Sequence, residues 1–251
     1  MVGLAGVIRR ERKHDQIIRY LAVGILRGEI TNEHSWMSSE LELCRHLHVS
    51  RTVLRESIKV LAAKGLVDVR PKVGIRVLPR QNWNLFDPHL LAWQQERGVD
   101  DVFLRNLCEV RLIVEPAAAK LAASRATDNE IVLLGEALRE MELSARNQEA
   151  YNVADMKFHS GIIDACHNDL LMQMNLTIRA AFRQAQSAGT PDPDGPSKSL
   201  RHHGAVFQAI RSRDASAAYL AMEQLVKVGT RGFYKTLHPN GSRKAWKELD
   251  L

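Results

Sequence analysis

The sequence predicts a mainly α-helical chain in two parts, a small helical head closed by a β-hairpin and a larger all-α bundle. Three observations predict this. Apolar residues recur at helical spacing along most of the chain. Short β-type runs flank a turn signal only near residues 66–78. The charge is unevenly placed: of 251 residues 35 are Lys or Arg and 29 are Asp or Glu, and residues 1–80 hold 15 and 8 of them, net +7, leaving −1 for residues 81–251. With 45% hydrophobic and 25% charged residues, the composition is that of a globular protein with substantial cores. No apolar run approaches the roughly 18 residues of a membrane span.

Taken in order, Ile17, Ile18, Leu21 and Ile25 form the inward stripe of a helix over His14–Arg27, and Gly28 stands where a C-cap belongs. Ser39 with Glu42 is a capping-box signature and opens a short helix with Leu43 and Leu47 inward. A turn over His46–Val49 ends it. Ser50 caps a third helix striped by Leu54, Ile58 and Leu61 and stopped by Gly65. Leu66–Arg70 and Ile75–Leu78 read as strands around the turn Pro71-Lys72-Val73-Gly74. This gives a winged helix-turn-helix over residues 10–80.

Pro79–Pro88 breaks all periodicity, and residues 81–97 read as a linker that packs through Trp83 and Phe86. From residue 98 to 235 the signals are helical throughout. Phe103, Leu107, Val110, Val114, Ala118 and Leu121 make one stripe. Thr127 and Glu130 form a capping box before Ile131, Leu134, Leu138 and Met141. Further helices are expected over 149–167, 170–187, 198–213 and 215–235, interrupted by the Pro- and Gly-rich Ala188–Ser197. Residues 236–251 read as a polar tail.

In a helix-turn-helix the second helix of the motif enters the major groove by its first residues, while hydroxyls and cations around it hold phosphates. Here that helix offers Arg51, Thr52, Arg55 and Lys59, the three cations sharing one face opposite the apolar stripe. Arginine forks onto guanine O6 and N7. Ser39 and Ser50 open the two helices, and Arg70, Lys72 and Arg76 cluster on the hairpin. The partner is therefore expected to be double-stranded DNA.

Ser39-Glu40, Leu43, Val49-Ser50-Arg51, Leu54-Arg55-Glu56, Leu61, Gly65-Leu66-Val67 and Gly74-Ile75-Arg76-Val77 resemble the winged helix-turn-helix of GntR-family transcription regulators. That resemblance implies recognition-helix contacts by Arg51 and Arg55 and a wing tip, Pro71-Lys72, on DNA. Leu41 departs from the family pattern, which often has an arginine there, so one expected contact is missing.

In the bundle, Asp155 and His159 lie one turn apart and continue into Ile162, Ile163 and Cys166, so they point inward. His203 shares a stripe with Val206 and Ile210, while His202 is rotated away. Inward polar groups need partners; one another, a polar ligand or a metal all serve. The pattern Glu109-Val-Arg111, Glu115-Pro116-Ala117, Asp155-x-x-Phe158-His159, Asn168 and His203-x-x-Val206 with Asp214 is similar to the FCD-type effector-binding domain of the FadR subgroup. That implies a divalent metal such as zinc on Asp155, His159 and His203, with Arg111 facing a small carboxylate effector. The expected fourth ligand position holds Leu225. Trp83-Asn84, Asp87 and Leu91-x-Trp93 resemble the branch containing the galactonate operon repressor, which implies a sugar acid such as an aldonate as effector.

The expectation is a homodimeric repressor reading a palindromic operator. The alternatives are a metal-dependent enzyme built on the bundle and a sequence-neutral DNA-packaging protein. No Gly-rich phosphate loop, GxSxG or HExxH supports the enzyme, and an inward polar cluster has no use in packaging. Cys44, Cys108 and Cys166 form no CxxC pair and read as core residues. The basic run Arg9, Arg10, Arg12 and Lys13 follows the weak apolar start, the reverse of a secretory signal, so a cytoplasmic location is expected.

Overall fold

The computed structural model describes residues 13–33, 39–70, 74–97, 101–175, 178 and 195–237. The chain divides into two compact units, Met1–Gly98 and Val99–Leu251. It is mainly helical, with the expected small wing in the first unit.

In the first unit α1 (Lys13–Leu26) buries Ile18, Leu21, Ala22 and Ile25 and packs on α3 (Arg51–Ala63). Between them α2 (Glu40–Leu47) starts at Ser39, whose hydroxyl accepts from Glu42 N, and ends on His48 in the left-handed region. Ser50 opens α3 in the same way, accepting from Val53 N. Leu43, Leu54 and Leu61 are fully buried beneath this turn. Strands β1 (Val67–Arg70) and β2 (Gly74–Val77) pair antiparallel, Val67 opposite Val77. The Asn32 side chain closes the free edge of β2, donating to Val77 O at 3.0 Å and accepting from Val77 N at 2.7 Å.

The segment expected to be a linker is structured. A 3-10 turn at Arg80–Asn82 leads to α4 (Pro88–Arg97), and Leu90 and Trp93 are buried in the first unit's core. Trp83 packs against the same core and donates to Leu78 O, whereas Phe86 is exposed. The start signal is Asp87-Pro88: a carboxylate at the N-cap and proline at the first helical position. Asp87 Oδ1 accepts from His89 N and Leu90 N at 2.9 and 3.0 Å, and Oδ2 accepts from Lys64 Nζ at 2.7 Å. Lys64 in turn lies over the Trp93 ring. The chain returns so closely that a Cβ on Gly65, at φ +73°, would fall 2.0 Å from Asn82 O.

The second unit contains α5 (Asp101–Arg125), α6 (Asp128–Leu143), α7 (Gln148–Asp164), α8 (Gly195–Arg211) and α9 (Ala215–Leu237). The Thr127–Glu130 capping box forms in both directions. Residues 169–175 are also helical, opened by Asn168, whose side chain accepts from Leu170 N and Leu171 N. Most of the helix expected over 170–187 lies outside the described residues. Helix α5 packs against α7, α8 and α9, around a core including Leu134, Met141, Phe158, Ile162, Val206, Met222 and Leu225. Cys44, Cys108 and Cys166 are buried and unbridged. No helix of the described residues is long and apolar enough to cross a membrane.

Burial pushes the Asp87 carboxyl up, but the hydrogen bond and charge of Lys64, with the Leu90 and His89 amides, hold it below its ordinary value. Asp87→Ala is expected to destabilise the protein at neutral pH by about 1–2 kcal/mol, the worth of a lost N-cap, in urea denaturation followed by tryptophan fluorescence. Because the folded-state value is depressed, this stability is lost as pH falls through it. The gap between wild type and variant should therefore close in acid.

Candidate functional site

Two constellations meet the sequence expectations, one in each unit. On the head, Arg51, Thr52, Arg55 and Lys59 are all exposed along α3, and Ser39 and Ser50 serve as helix caps. Arg55 does not stand alone: its Nε donates to Glu40 Oε1 at 2.9 Å and its Nη2 to Glu40 Oε2 at 3.2 Å. Lys59 Nζ meets Glu56 Oε1 at 2.8 Å, and Arg70 Nε meets Asp68 Oδ2 at 2.7 Å. These are surface pairs, worth at most about 1 kcal/mol each. Lys72 lies outside the described residues.

The second constellation is built from the bundle's helices upward. Arg111 and Glu115 are one turn apart on α5 and pair as Nε to Oε1 at 2.5 Å. This is no surface pair: the residues are only 5% and 3% exposed. From α7, His159 Nδ1 comes within 2.6 Å of Glu115 Oε2. From α8, His203 Nδ1 lies 2.8 Å from Ser199 O. A main-chain carbonyl only accepts, and so does an ionised carboxylate, so where the two Nε2 atoms are turned to a cation the Nδ1 atoms carry the hydrogen.

Both Nε2 atoms are thereby left facing the interior, 3.3 Å apart. Asp155 Oδ1 joins them, 3.0 Å from His203 Nε2 and 3.8 Å from His159 Nε2. Phe158 packs its edge against both rings. Asp155, His159 and His203 are the group among the described residues with the ligand set of a metal, all donor atoms within 4.8 Å of one another. Leu225 belongs to the hydrophobic core and brings no donor.

The electrostatics follow from burial set against proximity. Burial pushes the Glu115 carboxyl up, but the Arg111 charge, then His159, hold it far below the carboxylate range. Burial alone disfavours a charged His159; the Glu115 charge and hydrogen bond, with Asp155, overcome it and raise its pKa. Asp155, pushed up by burial, is drawn down further by His203 and His159.

Sequence reasoning named Arg111, Asp155, His159 and His203 and missed what holds them. Glu115 was legible as a helical neighbour of Arg111 and as part of the family pattern but not as the partner of His159, and Ser199, one turn before His203, carried no signal because its main contact is through its carbonyl. Glu115→Ala is expected to lower stability by about 3–5 kcal/mol, as when one partner of a buried ion pair is removed, measured by chemical denaturation of the full chain.

Comparison with known proteins covers both parts of the chain. Residues 13–77 match the family model described as "Bacterial regulatory proteins, gntR family", and residues 106–227 match the FCD domain. The chain is 34% identical over 223 residues to the galactonate operon transcriptional repressor of Escherichia coli, covering 87% of this chain and 96% of that protein. It is 32% identical over 202 residues to the Uxu operon transcriptional regulator of the same species, covering 74% and 73%. A solved structure described as Lar, which controls expression of the Listeria monocytogenes agr system, superposes with TM-score 0.60 at 19% identity, covering 90% and 99%. That likeness speaks for the fold.

Proposed function

The chain belongs to the GntR family of bacterial regulatory proteins, with an FCD domain as its second part, and we propose that it is an operator-bound repressor released by a sugar-acid carboxylate. DNA-binding transcription regulation, rather than enzymatic turnover, is the family's activity. The operator is read by Arg51, Thr52 and Arg55, with Ser39, Ser50, Lys59, Arg70 and Lys72 along the backbone. A homodimer presents two α3 helices to the halves of a palindrome, since a single half-site reader supplies little affinity.

The observation that carries the effector reading is the convergence of Nε2 of His159, Nε2 of His203 and Asp155 Oδ1, with both Nδ1–H groups already spent. Such outer partners are what orient imidazoles toward a metal. With neutral imidazoles the buried charges of Arg111, Glu115 and Asp155 sum to −1; a divalent cation brings the site to +1, complementary to a carboxylate. Zinc or a similar ion there would supply Lewis-acid affinity for a carboxylate and a neighbouring hydroxyl, and with Leu225 in place of a fourth ligand it keeps positions open for them. Arg111 lies at the same site. The likeness to the galactonate operon transcriptional repressor supports an aldonate over other acids. Effector binding shifts the protein away from its DNA-competent state if its affinities for the two states differ.

Arg55→Ala should weaken specific operator binding by about 1–3 kcal/mol, the worth of a bidentate base contact, with little change in salt dependence. Lys72→Ala should lower the salt slope instead; gel-shift titrations at several salt concentrations measure both. Arg111→Ala and His203→Ala should hold operator DNA but no longer let go when galactonate is added. Elemental analysis of the purified protein should find close to one divalent ion per chain, lost in His203→Ala. Wild-type release by galactonate in those two variants would sink the pocket assignment.

A further inference from the structure

Among the described residues of the bundle, Tyr151 Oη and Thr230 Oγ1 are buried hydroxyls that meet no hydrogen-bond partner. Thr230 lies beside the Cys108 thiol, a weak acceptor. Tyr151 lies beside the ligand cluster. It is 6% exposed, its ring is part of the bundle core, and it stands one turn before Asp155 on α7. Ser199 stands one turn before His203 on α8. Tyr151 and Ser199 thus each stand one turn, about 5.4 Å of helix rise, before a residue of the ligand cluster. The Ser199 carbonyl and hydroxyl already meet His203 Nδ1, at 2.8 and 3.2 Å.

Burial pushes the Tyr151 phenol up to about 12, with the nearby Asp155 charge acting in the same direction against the Ser199 hydroxyl. The group is therefore a neutral hydroxyl at every working pH, able to donate and to accept. Its polar neighbour, the Ser199 hydroxyl, is already turned to His203 Nδ1 at 3.2 Å; a buried hydroxyl left without a full partner is destabilising, and phenylalanine would fill the same space without that penalty.

We propose that Tyr151 is a specificity-determining residue whose hydroxyl bonds a hydroxyl of the bound sugar acid several carbons from the carboxylate held at Asp155, His159, His203 and Arg111. This rests on the effector reading above. The spacing of one helical turn separates long polyhydroxy acids, which reach Tyr151 Oη while anchored at the cluster, from short hydroxy acids, which do not. The residue thereby measures effector length and hydroxylation rather than charge.

The test uses the full-length protein and its Tyr151→Phe variant, titrated calorimetrically with galactonate, gluconate and lactate, and melted without ligand. The expected result is a variant that melts no lower than wild type, binds at least one of the two hexonates tenfold or more weakly, and binds lactate unchanged. Equal hexonate affinity in the two proteins overturns the inference and leaves the pocket reading intact. So does an equal loss for all three acids, which would place the effect on Asp155, or a lowered melting temperature with unchanged affinity, which would make the hydroxyl structural. If wild type binds lactate but neither hexonate, the role of Tyr151 falls while the carboxylate pocket stands. If it binds none of the three, the pocket reading falls and the inference with it.

Discussion

The second unit depends on one buried carboxylate. Glu115 sits on α5 at 3% exposure and accepts from two cationic or proton-bearing groups, Arg111 on its own helix and His159 on α7. Removing a carboxylate and a guanidinium from water is expensive, and proximity compensates only when the geometry is good and the remaining lone pairs are used. Here the second oxygen is used by His159. That single hydrogen bond decides which nitrogen of His159 faces inward, and so whether a site with Asp155 and His203 exists at all. The chemistry of the pocket is set one layer behind the atoms that would touch a ligand.

Much of the fold was legible because its signals are local. Ser50 and the Leu54, Ile58, Leu61 stripe specify a capped helix whatever surrounds them, and the Thr127–Glu130 box opens α6 as its spacing demands. The linker was misjudged for a physical reason: Asp87-Pro88 is a helix start, but its weight comes from Lys64, 23 residues earlier, and from Trp93 finding a core to enter. Periodicity does not report such distant partners.

The site divides along the same line. Asp155, His159 and His203 could be placed on inward faces from spacing alone. The burial of Arg111 and Glu115 could not, because α5 is packed by three other helices and lacks the single polar face that would mark a pair as solvent-exposed. On the head, the pairing of Arg55 with Glu40 joins two helices across the turn and was equally invisible to a reading that takes one helix at a time.

The docking of α4 onto the head has a consequence for how such a regulator can be recombined. The portable DNA-reading module does not stop at the end of the hairpin. Cut after residue 80, it would forfeit Leu90 and Trp93 from its core and leave Lys64, 8% exposed in the intact unit, without its acid partner. A chimeric sensor that grafts this head onto a foreign ligand domain should therefore carry the chain through Arg97, so that the splice falls beyond the last residue the head itself encloses.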